Sequence, residues 1–351
     1  MSNRYSHIFS ALENIKMEYL IPVIEKYDYF FEGKRQLLLK HYATISKVIE
    51  LTDGRIVICS NDAIRIFNLY TNNQPIVLNS VIGFIINILE LPDNKILAIN
   101  KYNSIDIWDL NTNTILLSKN LELKENTIKY ASILSNSDIV LGTDNEIIIF
   151  NSEDLTQKHI FPSGNILALT SSENKIIVAT NNITLQIYGE ENKDLSFLEM
   201  DKIKCLSMET DKILLAGTYS GDILMIDINS GNILKRIMNS TEAIPINQIT
   251  MLSNANIITV SSNYIKVWEL RKADPIFSKL VSHYDINHIE VLPNNNIINS
   301  NRRETRIWNV ETGESFAINS PGDVFLIKVL STGEILIVSQ DDSYAYLTLW
   351  E

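Results

Sequence analysis

The sequence predicts an all-β chain arranged as an eight-bladed β-propeller, and three observations carry that prediction. One pattern recurs along the 351 residues: an apolar strand, a turn such as LTDGR or LPDNK, a short apolar strand, a polar turn, then an alternating strand ending in a large residue. The closing residues Phe67, Trp108, Phe150, Tyr188, Ile226, Trp268, Trp308 and Trp350 are spaced by 41, 42, 38, 38, 42, 40 and 42 residues. That is the period of a four-stranded blade, about 40 to 45 residues, and lies outside helical repeats such as those of about 34. Within the closing strand, Ile64 and Ile66 alternate with Arg65, as expected of a strand whose two faces meet different surroundings. Stacking such small sheets radially buries both faces and leaves only short edges exposed.

Eight copies of about 40 residues account for roughly 320, which leaves about 30 at the N-terminus. The last copy reaches Trp350 with no segment left for an outer strand, and Arg35 to Lys40, RQLLLK, has the character of the missing strand. The expected organisation is therefore an N-terminal extension over 1–33 and a propeller over 34–351, with Arg35 to Lys40 closing the last blade. Seven blades plus a stray repeat is the alternative. In the extension, Ser10 to Glu13 reads as a capping box, and Leu12, Ile15, Tyr19 and Val23 fall at helical spacing. A helical extension is expected there, serving as a structural cap or as a docking helix.

Composition narrows the function classes. Hydrophobic residues make up 45% and charged residues 21%, enough apolar material for a folded core and too little charge bias for a disordered chain. The net charge of -12 argues against binding duplex nucleic acid, which requires a basic face to displace counterions. Nothing reads as a signal peptide or as an uncharged apolar run of about 18 residues, so no membrane association and a cytosolic-type compartment are expected. Cys59 and Cys205 lie far apart in apolar segments and are expected as buried free thiols, not as a disulfide or metal pair.

The chain resembles the WD-repeat β-propeller family from about residue 36 onward. The resemblance rests on Trp108-Asp109, Val267-Trp268-Glu269, Ile307-Trp308-Asn309 and the PDN and TDG turns. It implies a propeller fold. The family's buried tetrad of His, Ser, Asp and Trp is mostly missing. His283, Ser300 and Trp308 supply three members, with Arg302 and Arg303 where the Asp should stand. His41, Ser60 and Asp62 supply another three, with Phe67 in place of the Trp. Isoleucine packing, not tetrad hydrogen bonding, is therefore expected to hold most blades.

Catalytic motifs are missing: there is no Gly-rich phosphate loop, HExxH, GxSxG or CxxC. The five histidines share no ligand spacing, so neither a metal nor a cofactor is expected. The loops between second and third strands carry Asp62, Asp144, Asp222, Glu304, Asp341 and Asp342. Carboxylates gathered there would bind a cation or raise one another's pKa, but Asp in a tight turn also binds its own backbone. The same loops carry Tyr102, Tyr219, Tyr264, Tyr344 and the pair Arg302-Arg303. Tyrosine and arginine are the residues most enriched at binding hot spots, so these six are the candidate face for a protein or peptide partner, with no small-molecule substrate expected. The favoured expectation is thus a non-enzymatic interaction scaffold. The alternative is a substrate receptor of a cullin-type ubiquitin ligase. Trp268 and Arg271 would then serve as a WD-x-R-like adaptor-docking box, assisted by the N-terminal helix.

Overall fold

The computed structural model describes residues 35 to 350, apart from 70, 72–73, 79–83, 124–126, 174, 182–183, 190–191, 197–200, 211, 239–243, 253, 270–274, 281–285, 287 and 302–303. Among the described residues every regular element is a β-strand, and the strands form eight four-stranded antiparallel sheets. The fold is an all-β eight-bladed β-propeller, and the expectation of seven blades plus a stray repeat does not hold. The expected N-terminal helix lies outside the described residues.

Blade one runs from Ile45 to Leu78, blade two from Ile85 to Asn120, blade three from Tyr130 to Pro162 and blade four from Ile166 to Ser196. Blade five spans Ile203 to Ile237, blade six Gln248 to Leu280 and blade seven His288 to Ile318. Blade eight takes three strands from Asp323 to Trp350 and its outer strand from Arg35–His41. That outer strand pairs antiparallel with Ala345–Trp350, from Arg35 opposite Trp350 to His41 opposite Ala345, with a bulge between Leu37 and Leu39. Segments far apart in the sequence thus complete one sheet.

The register read from the sequence is the register of the sheets. Phe67, Trp108, Phe150 and Tyr188 pair with Ile56, Ile96, Ile139 and Ile176, each the first or second residue of the second strand of its blade. Ile226, Trp268, Trp308 and Trp350 pair likewise with Leu214, Ile257, Ile297 and Ile335. The turns between first and second strands show why the recurring PDN and TDG sequences suit them. Asp93 and Asn94 both take positive φ, 59° and 57°, the conformation of a tight hairpin turn that Asp and Asn tolerate. In blade one Gly54 takes the same role at φ 82°.

The chain divides into two compact units, Met1–Val77 with Lys279–Glu351 and Leu78–Ser278. In the first unit, Ile56 and Ile58 of blade one pack with Leu336, Val338 and Leu347 of blade eight. Ile298 and Ile307 of blade seven meet Ile337 and Trp350 of blade eight. In the second unit the same interleaving joins blades two and three through Leu97, Ile105, Leu141 and Ile148, and blades four and five through Ile177, Leu185, Leu214 and Leu224. The core therefore consists of branched aliphatic side chains between neighbouring blades, each contributing about 1.5–3 kcal/mol when fully buried.

Hydrogen-bonded tetrads play a smaller part, as expected, but the one in blade one has an unforeseen member. His41, Ser60 and Asp62 do come together, and it is Arg65, not Phe67, that completes them. Arg65 Nη1 donates to Ser60 Oγ at 2.7 Å, and Nη2 reaches Asp62 Oδ2 at 2.7 Å and lies 2.9 Å from His41 Nε2. Phe67 keeps the tryptophan register opposite Ile56 but has no N–H to offer. Arg65, two residues earlier and so on the same face, supplies the donors instead. In blade seven, Trp308 donates to Asn299 Oδ1 at 2.7 Å, while buried Ser300 Oγ has no partner among the described residues. His283, Arg302 and Arg303 lie outside the described residues.

Candidate functional site

The candidate site lies in the turns joining second to third strands. Tyr102 follows the second strand of blade two, where Asn100 Oδ1 accepts the Tyr102 and Ser104 backbone N–H groups and fixes the turn. Its ring is 62% exposed, with Lys101 Nζ 5.1 Å from the ring centroid. Tyr219 lies in the corresponding turn of blade five, one position earlier, partly exposed, with Lys204 Nζ 5.2 Å from its ring. Tyr264 opens the third strand of blade six opposite Ser261 and is half-buried. These three belong to the unit of Leu78–Ser278, each in its own turn. Arg302 and Arg303 lie outside the described residues.

Tyr344, in the other unit, has company that the sequence reading missed. Its hydroxyl donates to that of Tyr42 at 3.0 Å, and the two ring centroids are 4.6 Å apart. Lys40 Nζ lies over the Tyr344 ring, 4.0 Å from the centroid, and 5.7 Å from that of Tyr346. The cause is the closing strand: Lys40 pairs directly with Tyr346, so Lys40 and Tyr42 leave the sheet edge beside the Tyr344 turn. Asp341 organises the turn through Oδ1, which accepts the Ser343 and Tyr344 backbone N–H groups, both at 2.7 Å. Its Oδ2 accepts the Tyr346 hydroxyl at 2.6 Å. The Tyr346 hydrogen bond is the main reason the Asp341 carboxyl sits below the usual carboxylate range. Burial, reinforced by Asp341, pushes the Tyr346 phenol up to about 12.

The acidic residues of these turns do not gather. Asp62 pairs with Arg65, Asp144 with Lys129, Asp222 with Arg236 and Glu304 with Arg306, each cation lying within the same blade as its acid or at that blade's edge. The Arg65 and Lys129 hydrogen bonds hold the Asp62 and Asp144 carboxyls low, the reverse of the raised pKa a general acid requires. Among the described residues, no three of His, Cys, Asp or Glu are placed to hold a metal ion. No helix among them is long and apolar enough to cross a membrane. Cys59 and Cys205 are buried free thiols, and burial raises the pKa of both, that of Cys205 to about 12. Trp268 is buried, with its indole N–H bound to Thr259 of its own blade, and Arg271 lies outside the described residues.

The fold defines the class as an eight-bladed β-propeller, and solved structures share the propeller fold. The chain is similar to the computationally designed Ika8 protein, with a TM-score of 0.70 at 17% identity, covering 89% of this chain and 98% of that one. It is also similar to the WD40 β-propeller domain of Doa1, with a TM-score of 0.55 at 15% identity, covering 90% of this chain and 96% of that one. At such identities the likeness is one of fold alone. No family model matches the sequence, and no curated protein matches it significantly.

Proposed function

We propose that this protein is a non-enzymatic interaction scaffold that holds a protein or peptide partner on the tyrosine-bearing turns between its second and third strands. One contrast within those turns carries the reading. Four of their acids are tied to cations within or at the edge of their own blade and Asp341 to Tyr346, whereas Tyr102 and Tyr219 present large, partly solvated rings, each with a lysine ammonium about 5 Å from its centroid. Exposed tyrosines on a rigid β framework give contact area at small entropic cost, as hot-spot residues do. Arg302, Arg303 and Tyr264 are retained in the proposed face as candidate contacts. No observation favours adaptor docking through Trp268 and Arg271 over this reading.

The test is a triple substitution, Tyr102→Ala, Arg302→Ala and Tyr344→Ala, in the tagged full chain. The variant is expected to melt within a few degrees of the parent and to lose the partner that the parent recovers from lysate of the native host. Unchanged recovery of that partner would overturn the proposal.

A further inference from the structure

The tyrosine cluster of blade eight already holds a cation, and that cation belongs to the chain itself. Lys40 Nζ rests 4.0 Å from the Tyr344 ring centroid and 5.7 Å from that of Tyr346, within the range of cation–π attraction. Tyr42 stands against Tyr344 and is 79% exposed, so the cluster faces solvent. Asp341 accepts the Tyr346 hydroxyl at 2.6 Å, which draws electron density onto the phenol and sets a carboxylate at the edge of that ring, within electrostatic reach of Lys40. Aromatic faces with a carboxylate beside them make a receptor for an ammonium group.

From this geometry we infer that Tyr42, Tyr344, Tyr346 and Asp341 form a cage for the lysine side chain of a basic segment on a partner protein, occupied by Lys40 until that lysine displaces it. The inference rests on the scaffold reading above and gives its partner a chemistry. Three considerations select a lysine. The group seated in the cage is a primary ammonium, compact enough to lie over one ring while facing a second. Lys40 is exposed, on a flexible four-carbon stem at the end of the closing strand, so it leaves without disturbing the sheet. The chain carries a net charge of -12, which steers a basic segment toward it.

The experiment titrates the purified full chain at low salt with an end-capped peptide of alternating glycine and lysine, and with its glutamine counterpart, by calorimetry. Emptying the cage with Lys40→Met removes the internal competitor, and an exposed cation–π contact of about 1 kcal/mol corresponds to about fivefold tighter lysine-peptide binding. Tyr42→Ala removes a solvent-exposed ring and leaves the fold intact. Placed on the Lys40→Met background, it is expected to cancel that gain, and Tyr344→Ala to abolish binding. Equal affinity of the parent and Lys40→Met, equal binding of the glutamine peptide, or full binding by the Tyr42→Ala double variant would overturn the inference. The two readings fail separately. Loss of the cellular partner from the triple variant, with a lysine peptide indifferent to Lys40→Met, removes the cage and leaves the scaffold. A cage that responds as expected, beside undiminished partner recovery, removes the scaffold face instead.

Discussion

Trp268 donates its indole N–H to Thr259 Oγ1 at 2.8 Å across the second and third strands of blade six, and both residues are buried. Blade seven repeats the bond with Asn299 as acceptor for Trp308, at 2.7 Å. The acceptor stands two residues beyond the partner of the closing tryptophan, Ile257 in one blade and Ile297 in the other. Thr259→Val keeps the shape and deletes the acceptor, leaving the indole N–H buried without a partner. A loss of about 1–3 kcal/mol is expected, read as a lower urea midpoint. An unchanged midpoint would show that the bond contributes nothing.

Blade two gives the converse case. Trp108 pairs with Ile96, so the acceptor position falls on Ala98, and Trp108 Nε1 is buried with no partner among the described residues. Ala98→Ser places a hydroxyl where blade six carries one and blade seven an amide. It is expected to raise stability by up to about 1 kcal/mol, since the serine satisfies an existing orphan donor. The control is the same substitution with Trp108→Phe, where no donor remains and the added hydroxyl should only destabilise. Equal effects in both backgrounds would refute the pairing.

These examples also show how far the sequence could be read. The blade register was legible because one large residue closes every third strand and each blade aligns it with the start of the second. The closing strand was legible for the complementary reason: blade eight needed an outer strand, and RQLLLK was the segment left to supply it. Side-chain partners were harder to see. Arg65 is not legible from the tetrad pattern, which sets the fourth member at the register position of Phe67, although a residue two positions earlier shares that face. Lys40 and Tyr42 are less legible because they lie outside the turns between second and third strands that the repeat marks out. The signal was nonetheless present. Extending the predicted pairing of the closing strand sets Lys40 opposite Tyr346, beside the turn that carries Tyr344.

The Arg65 network predicts an acid-side loss of stability. Hydrogen bonds from Arg65, with Ser60 assisting, hold the Asp62 carboxyl far below the usual carboxylate range. A depressed folded-state pKa means that the contribution is complete above the unfolded value of about 3.9 and is lost as pH falls through the folded value. The Asp62 side chain is 43% exposed, so solvent limits the ionic part to about 1 kcal/mol. Arg65, at 11% exposure, would also be left with a weaker partner when Asp62 is neutralised. The stability difference between the parent and Asp62→Asn, from urea midpoints, should therefore hold steady from pH 7 to about 5 and shrink below about pH 4. In an Arg65→Met background, the carboxyl returns toward its ordinary range and the pH dependence of that difference should largely vanish. A difference that stays the same at pH 3 as at pH 7 would show that Asp62 acts through the shape of its turn and not through its charge.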